Sequence, residues 1–180
     1  MVKELELILR EIDDVMDKIE ESEIQQFINT IDKTKRIFIA GEGRTGFSAR
    51  GFAMRLMHLG YTVFFVGETI TPALKEGDIF IGISGSGESV SVVADAKKAL
   101  EKECQVLVVT SKTEGSLAKL GHHKLIIPAT VKGDQGEERK SIQLLSSLFD
   151  QSVHIVLDAI CLLLSKRDKQ ENDRITQNHW

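Results

Sequence analysis

Cysteine is scarce in this 180-residue chain, and Cys104 and Cys161 form no Cys-x-x-Cys pair. The pattern excludes a disulfide framework and a thiolate metal site, and both residues read as reduced, packed thiols. None of the five histidines falls in a cluster at metal-ligand spacing, so no metal is expected. Basic charge is also short: 23 Lys and Arg stand against 27 Asp and Glu, a net charge of −4. That balance argues against a nucleic-acid surface and leaves small anions, held by local geometry, as candidate partners. No charge-free run reaches the ~18 residues that make a membrane span plausible. The N-terminus, rich in Glu, Asp and Lys, has no apolar core of a secretory leader. The expectation is a cytoplasmic protein with no membrane partner.

What is present suits one core. With 42% hydrophobic residues over 180 positions, the chain is long enough for one full domain and short for two. Apolar residues at Leu5, Leu9, Ile12, Val15, Met16 and Ile19, then at Ile24, Phe27, Ile28 and Ile31, repeat at helical spacing and predict two amphipathic helices over 1–33. Short, continuously apolar runs follow at Arg36–Ala40, Thr62–Val66, Ile79–Ile83, Val106–Thr110 and Lys124–Pro128, the pattern of strands buried on both faces. Helical patterns near Gly46–Leu59, Glu88–Glu101 and Ser116–Leu120 separate most of them. The alternation predicts right-handed βαβ crossovers over 34–166, a five-stranded parallel sheet in a three-layer, flavodoxin-like α/β/α sandwich.

From Ser141 to Ser165 a last helix is predicted, apolar nearly all round. Such a helix needs cover on more than one side, which predicts a homo-oligomer using it and the N-terminal pair as interface; the alternative is a central core helix within a monomer. Residues 167–180 turn charged and polar and read as a tail, either mobile or an arm on a partner subunit.

Two turns carry the chemistry. Asp78-Ile-Phe-Ile-Gly-Ile-Ser-Gly-Ser-Gly-Glu-Ser89 runs from a strand into a glycine- and hydroxyl-rich turn and then a helix, a cradle for phosphate. Gly85 and Gly87 allow close backbone approach, Ser84, Ser86 and Ser89 supply hydroxyls, and the helix start near Glu88 offers unpaired amides and a positive dipole end. The turn has no Lys. Phosphoryl transfer commonly uses Lys and Mg²⁺ to offset developing charge, so the phosphate reads as a handle rather than a reactant. The first turn, Gly41-Glu-Gly-Arg-Thr-Gly46, matches the dinucleotide fingerprint, with Glu68 near the place of a ribose-binding acid. A nicotinamide enzyme normally needs a further substrate-holding region. Set at the ends of the first and third strands, the two turns, with Gly43, Arg44 and Thr45 on one side, instead describe one sugar-phosphate pocket.

These turns, together with Phe52-Ala-Met-Arg-Leu-Met-His-Leu-Gly60, Val66-Gly-Glu-Thr-Ile-Thr-Pro72 and Ile142-Gln-Leu-Leu-Ser-Ser-Leu-Phe-Asp-Gln151, resemble the sugar isomerase (SIS) domain family over nearly the whole chain. The likeness is greatest to the branch acting on 6-phospho-3-hexuloses. The resemblance implies a tetrameric, cofactor-free ketose isomerase of formaldehyde fixation that converts a hex-3-ulose 6-phosphate to fructose 6-phosphate through a cis-enediol. It also implies substrate contacts at Thr45 and from Gly85 through Ser86, Gly87, Glu88 and Ser89 to Val90.

By the same likeness the catalytic base falls at position 150. This chain has Asp150 where the family has Glu, a carboxylate withdrawn by about 1.3 Å, and Thr45 and Ser89 exchange one hydroxyl residue for another. Asp150 is thus the expected base for the carbon proton, with Glu88 or a histidine moving the oxygen proton. His179 is preferred because the family commonly has a C-terminal His, while His154 shares the helix face of Asp150. Bland readings stand beside these. Asp150 is otherwise a surface or interface acid, Glu88 a partner of the helix dipole, and Arg44 either a phosphate grip or a partner of Glu42 or a neighbouring acid. Two other functions remain open: a sugar-phosphate-binding module without turnover, and a small nucleotide-binding protein.

Overall fold

In the computed structural model, which describes residues 2–170 and 172–179, helices α1 (Lys3–Met16) and α2 (Glu21–Thr30) precede five strands, β1 (Arg36–Gly41), β2 (Thr62–Phe65), β3 (Ile79–Ile83), β4 (Gln105–Thr110) and β5 (His123–Ile126). Helix α3 (Gly43–His58) follows β1, α4 (Val90–Glu101) follows β3, and α5 (Ser147–Arg167) and α6 (Asn172–Gln177) come last. All neighbouring strands run parallel, in the order β2-β1-β3-β4-β5.

Alternate residues of each strand enter different cores because successive side chains point to opposite faces. Ile37, Ile39, Ile79, Ile81, Leu107 and Val109 join one cluster with Phe27, Phe52, Leu56 and Phe149. Phe38, Ala40, Phe80, Val106 and Val108 join the other with Val92, Ala96 and Ala99. Helices α1, α2, α3 and α5 therefore pack on one side of the sheet and α4 on the other, giving the expected three layers. Both cysteines are free thiols inside these cores. Burial first, then the charge of Asp158, pushes the Cys161 thiol up to about 12.

Two charged knots tie the elements together. At the start of β1, Arg36 donates from Nε and Nη2 to the two carboxylate oxygens of Asp78, at 2.9 and 2.5 Å, and the Lys75 amide donates to the same carboxylate at 2.7 Å. Asp78 is buried, so these bonds replace its lost hydration. At the end of α5, Arg167 donates to the carbonyls of Ile28 and Ile31 and to the Tyr61 hydroxyl, which donates to Asp168 at 2.6 Å. Burial, then the bond to Asp168, raises the Tyr61 phenol above its ordinary value.

Most boundaries shift by one to three residues from the expected ones, and three segments differ further. Helix α5 begins at Ser147 rather than Ser141, because Glu11 of α1 accepts hydrogen bonds from the Ile142 amide at 2.8 Å, Ser141 Oγ at 2.7 Å and Gln143 Nε2 at 3.0 Å. The tertiary contact captures a segment whose apolar spacing looked helical, and Leu145 adopts φ 52°. The pattern at Ser116–Leu120 forms only a 3-10 turn at Ala118–Leu120. Beyond Lys166 the polar stretch is not merely a tail: Arg167 completes α5, and Ile175 of α6 packs on the larger core.

α5 has the length and composition of a membrane span, but Phe149, Val153, Val156, Leu157, Ile160 and Leu164 lie in the core. Its other side leaves Ile155, Leu162 and Leu163 exposed.

Candidate functional site

β1 and β3 lie side by side, yet the helices that follow them pack on opposite faces, Ala49 and Phe52 of α3 in one core and Val92 and Ala96 of α4 in the other. The connecting turns part at this switch point and open a crevice beyond the carboxyl ends of the strands. A cleft of about 480 Å³ fills it, lined by Glu42, Gly43, Arg44, Thr45, Ile83, Ser84, Gly85, Ser86, Ser89, Lys132, Leu145, Ser146, Ser147 and Asp150.

The serine-rich turn is fixed from beneath. Gly85 offers its carbonyl to the Ser111 amide at 3.0 Å, Ser111 Oγ at 2.8 Å and Thr110 Oγ1 at 3.2 Å. Gly87 adopts φ 70°, a conformation that favours glycine. A Cβ on Gly85 would lie 2.8 Å from Phe149 Cδ1 and 2.9 Å from Val131 Cγ1. Gly85→Ala is therefore expected to cost about 1–3 kcal/mol by overpacking and to weaken inorganic phosphate binding; urea denaturation and calorimetry check the two effects.

Asp150 enters from the first turn of α5 and is buried. Thr45 Oγ1 donates to its Oδ1 at 2.6 Å, and Arg44 Nε lies 4.0 Å from Oδ2. Burial raises the Asp150 carboxyl above its ordinary value, against the opposing pulls of the Thr45 bond and the Arg44 charge. Arg44 also donates to Ser147 Oγ at 2.9 Å, so its acid partner is Asp150 rather than Glu42. Across the crevice Glu42 accepts from Ser89 Oγ at 2.7 Å and from Ser91 Oγ. The Ser91 and Ser89 bonds hold its carboxyl below the usual range. A raised and a lowered carboxyl thus face one cleft, an arrangement that separates a proton acceptor from a fixed anion.

The structure brings together Gly43, Arg44, Thr45, Ser84, Gly85, Ser86, Ser89 and Asp150 among the residues expected at the site. Four others lie elsewhere. Gly87 shapes the turn from behind, against Thr110, and Val90 is exposed at the start of α4. Glu88 turns away from the cleft to accept from the Ser116 amide at 2.7 Å and Ser116 Oγ at 2.6 Å, bonds that lower its carboxyl. His179 stacks on His58 of its own chain with ring centroids 5.0 Å apart. His58 ends the helix that carries Thr45 in its first turn, about 20 Å away at 1.5 Å per residue. His154 is exposed beside Asp158 on α5, 3.6 Å away.

Lys132, Leu145, Ser146 and Ser147 also line the cleft, unexpected from the sequence, as does Glu42. Only Glu42 had a local signal, an acid set between the glycines of the first turn.

A second hollow of about 510 Å³ lies between α1 and the ends of β4 and β5. Of the four acids that line it, Asp134 is engaged by Lys112 at 2.6 Å and Glu11 by residues 141–143. The slightly smaller crevice, with its serine turn and buried carboxylate, is the better site.

The SIS domain pattern matches residues 30–155 of this chain. The chain is 36% identical over 172 residues to the 3-hexulose-6-phosphate isomerase of Bacillus subtilis, covering 96% of this chain and 93% of that protein. To the protein of the same name from Mycobacterium gastri it is 34% identical over 175 residues, covering 97% and 87%. A crystal structure of a Methanococcus jannaschii protein, for which a molecular function of 3-hexulose-6-phosphate isomerase was inferred, superposes with a TM-score of 0.84 at 32% identity and covers 99% and 98% of the two chains.

Proposed function

This chain belongs to the SIS domain family, and on that premise we propose that it is a sugar-phosphate isomerase interconverting a hex-3-ulose 6-phosphate and fructose 6-phosphate. The observation that carries the proposal is Asp150, a buried carboxylate of raised proton affinity opening onto the same cleft as the Ser84–Ser89 turn. Its relatives in Bacillus subtilis and Mycobacterium gastri, both named 3-hexulose-6-phosphate isomerase, support the choice of substrate.

The phosphate seats among the hydroxyls of Ser84, Ser86 and Ser89 and the amides at the start of α4. Asp150 removes the proton from C2 of the 3-ketose, and the C–H electron pair forms the C2–C3 double bond of a cis-enediol as the C3 carbonyl oxygen takes up a proton. Loss of the proton on the C2 hydroxyl then makes the new carbonyl, while Asp150 returns its proton to C3. Thr45 holds one carboxylate oxygen, and Arg44, which donates to Ser147, lies beside the other. The chemistry asks for no metal or organic cofactor, only a positioned base. Glu88 and His179, expected to move the oxygen proton, do not line the cleft of their own chain, so that proton is assigned to exchange with solvent.

As proposed, the 180 residues form one SIS domain acting in the cytoplasm as a homotetramer. Supporting assembly are the exposed apolar residues of α5 and, on its neighbour α3, Phe47, Met54 and Met57.

Fructose 6-phosphate incubated in D₂O with the protein is expected to gain deuterium at C3, read by loss of the H3 proton resonance. Thermal stabilisation by fructose 6-phosphate without exchange would instead favour a binding module, and stabilisation by NAD alone a nucleotide-binding protein.

A further inference from the structure

The first turn sets a carboxylate in a crevice built for an anion. Glu42 is the N-cap residue of α3, and its side chain crosses the switch point to the far wall. There it accepts from Ser89, the N-cap residue of α4, and from Ser91 in the first turn of that helix. A helix N-terminus attracts negative charge through its unpaired amides and its dipole. Glu42 therefore supplies an anion at the element that would hold the phosphate of a sugar phosphate.

The hydrogen-bond inventory sharpens the conflict. A serine hydroxyl has one proton to donate, and a fully ionised phosphate can only accept. While Ser89 donates to Glu42, it has no proton for a ligand, although it lines the cleft with Ser84 and Ser86. Ser91 does not line the cleft, so its bond serves only to hold Glu42 against α4. The two negative groups also repel each other across a short gap.

We propose that Glu42 is a specificity-determining residue of this site, an internal anion that holds the hydroxyls of Ser89 and Ser91 and must release Ser89 before a phosphate seats. The inference rests on the isomerase reading for its substrate, but its physical content concerns phosphate alone. Opening the latch opposes binding of every phosphate. Only a ligand whose sugar chain makes further contacts toward Asp150 offsets that opposition, so the site discriminates against free inorganic phosphate, and the returning carboxylate helps expel product.

The test compares the full-length protein with Glu42→Gln and Glu42→Ala, using inorganic phosphate as the probe in calorimetry and as a competitive inhibitor of C3 deuterium exchange. Removing the charge is expected to tighten inorganic phosphate about tenfold, to lower KM for fructose 6-phosphate, and to leave kcat no higher than before. A brace with a merely structural role would give the opposite result, weaker phosphate binding with no such KM-against-kcat split. Unchanged or weakened phosphate binding in both variants overturns the proposal, as does failure of all three proteins to bind phosphate at millimolar concentration. If phosphate tightens in the variants while none of the proteins exchanges deuterium, the latch stands and the isomerase reading falls.

Discussion

Asp150→Asn is expected to lower kcat by about 10²–10⁴-fold, the usual contribution of a positioned general base, while KM for fructose 6-phosphate stays within about threefold because the phosphate seat is untouched. The amide is nearly the same shape and can still accept from Thr45, so the loss is one of proton affinity rather than architecture. The pH dependence gives a second check. Burial raises the Asp150 carboxyl, so the acid limb of kcat/KM should lie above the ordinary carboxylate range, with activity falling as pH drops through it; the variant's residual rate should lack that limb. Stability should move the other way. A carboxyl whose proton affinity is higher folded than unfolded destabilises the fold as pH rises from the unfolded pKa through the folded one, and the cost is fully present above both. Asp150→Asn removes that cost and should raise Tm at neutral pH, whereas a purely structural carboxylate would lower Tm when replaced.

The largest loss of stability is expected far from the cleft. Arg36→Met keeps an apolar stem beside Phe38, over whose ring the guanidinium lies at 5.2 Å, but strips the buried Asp78 of both charged donors. An unpaired buried charge costs about 3–5 kcal/mol, and because the Arg36 side chain retains 26% of its exposure, the lower end applies, about 3 kcal/mol. Denaturation in urea should show a reduced midpoint with an unchanged slope. The double variant Arg36→Met/Asp78→Asn should recover part of the loss, since the amide needs less from its surroundings than the carboxylate does.

The sheet was legible because its strands are short apolar runs buried on both faces, and Ile79–Ile83 falls where expected to the residue. The start of α5 was not legible. Ile142, Leu144 and Leu145 continue its apolar spacing, no Gly or Pro interrupts them, and what captures them is Glu11, some 130 positions earlier. Most of the cleft could be read from the two turns, since backbone geometry and hydroxyls are local properties. What a charged side chain reaches is not local: Glu88 and Glu42 stand beside equivalent glycine turns, yet one turns away to Ser116 and the other crosses to α4. Likewise Asp150 and Thr45, the shortened acid and the substituted hydroxyl, lie 105 positions apart and bond each other, a pairing visible only once the chain is folded.

The knot at the end of α5 bears on where this protein can be cut. Composition invites trimming after Lys166, and the family pattern stops earlier still, at residue 155. A chain ending at either point would lose the guanidinium that joins the end of α2 to Tyr61, leaving the carbonyls of Ile28 and Ile31 without that donor. A useful fragment for expression therefore extends at least through Asp168, past the residues that sequence similarity alone would keep, and keeping the packing of Ile175 on the core requires α6 as well.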